Sequence, residues 1–157
     1  VQSKKSNAAL RSQIRRTTSS FVAGLPLPPI PVQLSSGQSG TITDQCKAGR
    51  PIVFVFSSAR CAKCAQLAKR WVPLATSLPS VTFMAVGVDG AFPVGAEAAS
   101  RVTLAKSNES ALSNQLHVHE LPTLVVADAS CHIARASSGM AASEELIDLL
   151  IADTQKP

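Results

Sequence analysis

The sequence predicts an α/β domain with a mixed sheet flanked by helices, and three observations predict it. Pro51–Phe56 and Val81–Val88 are runs of β-branched and aromatic residues, the pattern of strands buried on both faces. Between them Leu67, Trp71 and Leu74 recur at helical spacing, so strand, helix and strand alternate. The 157 residues are 45% hydrophobic and 16% charged, enough apolar material for one core and too ordinary a balance for a disordered chain.

In chain order the first element is an arm, residues 1–23, followed by a domain over 24–157. The first twenty residues are rich in Ser, Arg and Lys and contain no acid, a composition that suits an organellar targeting segment or a solvated flexible tail. Leu25–Val32 holds four prolines in eight residues. Proline fixes φ and removes N–H donors, so this stretch is expected to be extended, and its aliphatic filling suggests packing along the edge of the fold. Gln33–Thr43 reads as a hairpin through Gly37 and Gly40.

After the first buried strand, Ser57–Arg60 turns the chain and Cys61-Ala62-Lys63-Cys64 opens a helix to about Ser77. Pro73 is expected to kink it or end its first part. Asp89-Gly90 closes the second buried strand, a Gly/Ala loop follows, and Arg101–Ala105 reads as a short strand. Asn108 is placed to cap a short helix carrying Ala111, Leu112 and Leu116 on one face. Thr123–Ala127 and Cys131–Arg135 are two further strands around a turn containing Asp128 and Ser130. Ser143 is expected to cap the last helix, with Glu144 and Glu145 in its first turn, where the helix dipole favours acids. There is no internal repeat, and no run of 18 apolar residues that would form a membrane-spanning helix.

The net charge of +5 is a property of the arm. Lys4, Lys5, Arg11, Arg15 and Arg16 precede the first acid, Asp44, and from there on ten basic residues meet ten acidic ones. A basic recognition face spread over the domain is therefore not expected, whereas the arm itself is a candidate contact for RNA or an acidic protein.

The informative constellation is a buried strand, a turn, and two cysteines two residues apart at a helix start. Unsatisfied N–H groups and the dipole at a helix N-terminus stabilise a thiolate on the first cysteine. The second, one turn on, is close enough to close a small disulfide and to resolve a mixed-disulfide intermediate. Arg60 and Lys63 add positive charge beside Cys61. The bland alternatives are a pair of buried structural thiols and half of a zinc site. Zinc would need Cys131 and His132, 67 residues beyond Cys64. Five residues of strand separate them from Pro122, about 16 Å at 3.2–3.4 Å per residue, so they should not reach the pair.

Over roughly Val32 to Ala152 the chain resembles the thioredoxin superfamily. Pro51 to Cys64 is similar to that family's central strand and redox motif. Cys64-Ala-Gln-Leu-Ala-Lys-Arg-Trp-Val-Pro-Leu-Ala75 resembles the disulfide-isomerase pattern of Cys, Leu-Ala, Trp and Leu-Ala. Leu116-His-Val-His-Glu-Leu-Pro-Thr-Leu124 resembles the segment that ends in a cis-proline, and Gly139 stands where the family has its last glycine. Gly24–Thr43 and the Arg101–Ala105 strand look most like the redoxin branch that includes cytochrome c maturation oxidoreductases.

The resemblance implies a thioredoxin-like three-layer sandwich, a central mixed sheet flanked by helices. It implies Cys61 as nucleophile, Cys64 as resolving thiol, and Leu121-Pro122 as a cis bond whose backbone pairs with an extended substrate, with no cofactor. Three positions depart from the pattern. Val55 replaces a buried Asp six residues before the first cysteine, which removes a proton acceptor for the resolving thiol. Arg60 replaces the usual aromatic residue before the nucleophile and implies a different partner surface. Lys69 replaces the helix proline. A peroxiredoxin-type site fits less well, since Phe54 stands where that branch has proline and Ser58 only weakly matches its threonine.

Cys46 and Cys131 fall at the end of the resembled sheet opposite Cys61, and two unpaired thiols are expected there. His117 and His119 alternate on one face near Pro122, as candidates for proton transfer or as exposed loop residues. The function expected is a thiol–disulfide oxidoreductase acting on protein substrates through Cys61 and Cys64, with an organelle, a mitochondrion first, as its address. The alternative is a thioredoxin-fold structural subunit of a large organellar assembly, such as a mitochondrial ribosome or respiratory complex, anchored through the basic arm.

Overall fold

The computed structural model describes residues 21–46, 49–92, 102–107 and 120–154. Its strands are β1 (Pro31–Leu34), β2 (Ser39–Thr41), β3 (Ile52–Ser57), β4 (Thr82–Gly87), β5 (Val102–Lys106), β6 (Thr123–Ala127) and β7 (Ile133–Ser138), and its helices α1 (Ala62–Ser77) and α2 (Met140–Thr154). They form one sheet in the order β2-β1-β5-β4-β3-β6-β7. The central strands β3, β4 and β5 are parallel, with Ser57 opposite Gly87 and Gly87 opposite Lys106 at their C-terminal ends. β6 runs antiparallel to β3, β7 to β6, and β1 to both β5 and β2.

The alternation of side chains along a strand sorts the apolar residues into two layers. Val53, Val55, Phe83, Ala85, Leu124 and Val126 face Leu67, Trp71 and Leu74 of α1 and Leu146 and Ile147 of α2. Trp71 stacks on Phe83 with ring centroids 6.1 Å apart. Phe54, Phe56, Met84, Val86 and Val125 point to the other face, against Phe21, Leu27, Ile30, Val32 and Ile42. The proline-rich segment thus packs as its aliphatic residues imply, with Ile30 1% exposed.

Several expectations move. The packed region begins earlier than residue 24, because Phe21 is buried against Phe56 at 5.2 Å. α1 continues four residues past Pro73, whose ring lies on the exposed face of the helix, and ends at Ser77. Cys131 belongs to the β6–β7 turn, in a left-handed conformation with φ 66°, and the strand starts at Ile133.

α2 starts at Met140, so Ser143 is not its cap and Glu144 and Glu145 fall beyond its first turn. Ser143 is instead fully buried and donates to the Pro122 carbonyl at 3.2 Å. The expected helix after Asn108, with His117 and His119, lies outside the described residues, as do Lys4, Lys5, Arg11, Arg15 and Arg16.

The two unpaired thiols are also corrected. Cys46 and Cys131 form a disulfide, with Cα atoms 5.5 Å apart and 85 residues between them in sequence. The reason is a contact that spacing does not reveal: the segment before β1 lies along the start of β7. Leu27 N–H donates to the Cys131 carbonyl at 2.9 Å, and Pro26 bridges His132. A 3-10 turn, Ile42–Gln45, then delivers Cys46 to the same place.

Candidate redox site

The parallel strands all end at one edge of the sheet, and the cysteine pair sits there because Ser57, the last residue of β3, runs directly into the turn before α1. Cys61 is the N-cap of α1 in extended conformation (φ −92°, ψ 104°), and its sulfur accepts the Cys64 N–H at 3.1 Å. Cys61 and Cys64 are joined as a disulfide, with Cα atoms 5.2 Å apart. The two sulfurs are not equivalent. Cys61 is half-buried at the rim, whereas Cys64 is 5% exposed. Arg60, Ala62 and Lys63 around Cys61 are all exposed.

Leu121-Pro122 is cis, as the resemblance implies. Its setting is held from behind: the Pro122 carbonyl accepts the Gly139 N–H at 2.9 Å and the Ser143 hydroxyl. Thr123 secures the same corner by donating to the Glu120 carbonyl at 2.6 Å. Gly139 adopts φ 88°, and a Cβ there would approach the Glu120 carboxylate to 2.6 Å, so the position is closed to a side chain for two reasons.

Arg60 and Leu121 line one pocket of about 210 Å³ together with Ser58, Val88 and Asp89. Two of the three residues expected to contact substrate, Arg60 and Leu121, thus share a pocket, and Pro122 is not among its lining residues. Val55 lies in the apolar layer beneath α1, 2% exposed, so the position of the family's buried Asp is filled by hydrocarbon. Cys131 and His132 are held at the far end by the second disulfide, and His132 interacts with Ser130.

Sequence reading missed Asp89, which looked only like the end of a strand. It accepts the Ala59 N–H through Oδ2 at 3.1 Å and so fastens the turn that precedes Cys61. Its Oδ1 is buried with no hydrogen-bond partner among the described residues. The loop is folded tightly: a Cβ on Gly87 would collide with the Ala91 carbonyl, so only glycine fits at the end of β4. The Asp-Gly dipeptide after a buried strand was the visible signal, but it marks many turns.

No protein-family model and no curated protein matches the sequence. Solved structures do match. The chain is similar to the thioredoxin domain of a thiol-disulfide oxidoreductase from Bacteroides vulgatus, at 15% identity and a TM-score of 0.62 over 83% of this chain and 99% of that one. A thio-disulfide isomerase from Thermus thermophilus is 19% identical, with a TM-score of 0.60 over 83% and 96%. Peroxiredoxin Q from Xanthomonas campestris is 17% identical, with a TM-score of 0.61 over 84% and 96%. The fold is thioredoxin-like, a mixed sheet flanked by helices.

Proposed function

We propose that the chain is a thiol–disulfide oxidoreductase that acts on protein substrates through Cys61 and Cys64. The observation that carries the reading is the asymmetric pair: a half-buried sulfur at a helix N-cap joined to a buried one, in a fold whose Leu121-Pro122 bond is cis and whose Leu121 shares a pocket with Arg60. A thiolate on Cys61 attacks a substrate disulfide, forming a mixed disulfide and expelling the other substrate sulfur as a thiolate. Cys64, once deprotonated, attacks the Cys61 sulfur, closes the Cys61–Cys64 bond and releases the second substrate thiolate. Two electrons pass from the protein dithiol to the substrate, and the reverse sequence oxidises a dithiol substrate. The Cys64 N–H that reaches the Cys61 sulfur belongs to the end of the helix that favours negative charge.

The Cys46–Cys131 disulfide supports an oxidising compartment. Together with the acid-free arm it favours an organellar lumen or intermembrane space over a reducing one. A second reading, a subunit of a large organellar assembly docked on RNA or acidic protein, is favoured by the confinement of all net charge to the arm and by Val55.

Replacing Cys64→Ser separates the two readings. It removes the resolving thiol and leaves Cys61 at the helix cap, so the variant is expected to hold partners as adducts that reductant releases, while Cys61→Ser/Cys64→Ser holds none. A folded Cys64→Ser protein with no adducts above the double variant overturns the oxidoreductase reading.

A further inference from the structure

The loops after β3, β4 and β5 are stitched into one surface. Val88 N–H donates to the Ser57 carbonyl at 2.8 Å, Ser107 N–H to Gly87 at 2.7 Å, and Gly90 N–H to Ser107 at 3.1 Å. The Ser107 hydroxyl continues the row by donating to the Pro31 carbonyl at 2.8 Å. Beyond the pocket at Arg60 and Leu121 a larger one of about 600 Å³ opens toward β1, lined in part by Gln33, Gly90, Lys106 and Ser107. Asp89 lines both, so the two pockets adjoin, and together they make a groove along the strand ends that begins at Arg60, next in sequence to Cys61.

The charges in this groove are unbalanced. Lys106 lies over the Phe92 ring at 5.0 Å, which holds its ammonium near the groove. The described residues contain two ion pairs, Arg70–Asp148 and Arg135–Asp153, and neither involves Arg60 or Lys106. The one carboxylate that lines the groove among the described residues, Asp89, is turned onto the Ala59 amide. Among the described residues, then, neither Arg60 nor Lys106 has a carboxylate partner, and each lines one part of a groove of mixed apolar and small polar residues.

We propose that this groove is a specificity subsite for the proposed oxidoreductase reaction, selecting protein substrates with an acidic residue near the attacked cysteine, paired to Lys106. The inference rests on that reaction. Two inter-strand steps of about 4.8 Å separate β3 from β5, so the acid belongs about three extended residues from the substrate cysteine.

The test uses the reduced Cys64→Ser protein and synthetic peptides whose one cysteine is activated as a 2-pyridyl disulfide. Cys61 thiolate attacks the peptide sulfur, the protein–peptide S–S bond forms, and the pyridyl thiolate leaves with the electron pair and takes up a proton as 2-thiopyridone, which is followed by absorbance. Peptides carrying Glu or Gln three residues before or three residues after the cysteine are compared. In one of the two directions Glu is expected to react about two- to fivefold faster than Gln at low ionic strength, the range of a single exposed ion pair, and the ratio should shrink with salt. Lys106→Gln should bring the ratio to about one, and Lys106→Arg should restore it. A ratio near one in both directions, or one that survives Lys106→Gln, overturns the subsite. If no peptide releases thiopyridone faster than with Cys61→Ser/Cys64→Ser, the oxidoreductase reading fails instead. Fluorescence anisotropy of the same peptides with Ser for Cys, on the oxidised wild type, then decides the docking alone: tighter binding of Glu over Gln supports it, and equal binding overturns it.

Discussion

Cys61 and Cys64 differ in one respect that chemistry reads directly, their access to solvent. Cys61 caps α1 at the rim and Cys64 is 5% exposed within the first turn. After reduction, brief treatment with iodoacetamide at neutral pH should label Cys61 at least about tenfold faster than Cys64, since access and thiolate character both favour it. Peptide mass mapping of singly labelled protein checks this, and equal labelling would contradict the assignment of nucleophile and resolving thiol. These two residues were legible in the sequence because their relation is local, three positions along one helix start. Asp89 and Ser143 were not. Their partners, Ala59 and Pro122, lie 30 and 21 residues away, and nothing local to Asp-Gly or Ser-Glu-Glu reports such a contact. A serine before two glutamates satisfies the pattern of an N-cap, but after Gly139, at φ 88°, the helix begins four residues earlier, at Met140, and that hydroxyl turns inward.

At the scale of elements, the strands buried on both faces were the easiest to place, because β3, β4 and β6 have no polar face to blur the pattern. The β6–β7 turn was harder, since its geometry depends on one side chain. Asp128 Oδ1 accepts the N–H of His132 at 3.0 Å, the hydroxyl of Ser130 at 2.8 Å and the N–H of Ser130 at 3.0 Å. The His132 amide, followed by the Ser130 hydroxyl, holds this carboxyl below the ordinary aspartate value of 3.8. A carboxylate with a depressed folded-state pKa contributes stability that is present above the ordinary value and is lost as pH falls through the folded-state one. The turn should therefore keep its order at pH 4 and loosen only below 3.8, and Asp128→Asn should remove that acid transition. Amide chemical shifts of Ser130 and His132 followed by NMR check it. A midpoint at or above 3.8 would show that the carboxylate is not what the turn hydrogen-bonds.

The whole molecule places its two disulfides at opposite ends of one sheet, with different work at each. The Cys61–Cys64 bond closes a loop of three residues and constrains the unfolded chain little, whereas Cys46–Cys131 spans 85 residues. In the chain-entropy picture a closure of that length removes about 4–5 kcal/mol of unfolded-state freedom, and native disulfides commonly contribute about 2–4. It also fastens the Ile42–Gln45 turn, whose Ile42 packs in the layer with Phe54, Phe56 and Val125, to the β6–β7 turn. Replacing both as Cys46→Ser/Cys131→Ser should lower the unfolding free energy by about 2–4 kcal/mol, measured by guanidinium denaturation in the Cys61→Ser/Cys64→Ser background, where no other disulfide remains. The same pair of substitutions in the Cys64→Ser protein should leave adduct formation unchanged under native conditions, because the length of β6, about 16 Å, separates the two ends. A loss of adducts at full native fold would mean that the second disulfide takes part in the redox chemistry. A stability change under about 0.5 kcal/mol would mean that the N-terminal segment holds to the sheet by burial of Leu27, Ile30 and Val32 alone.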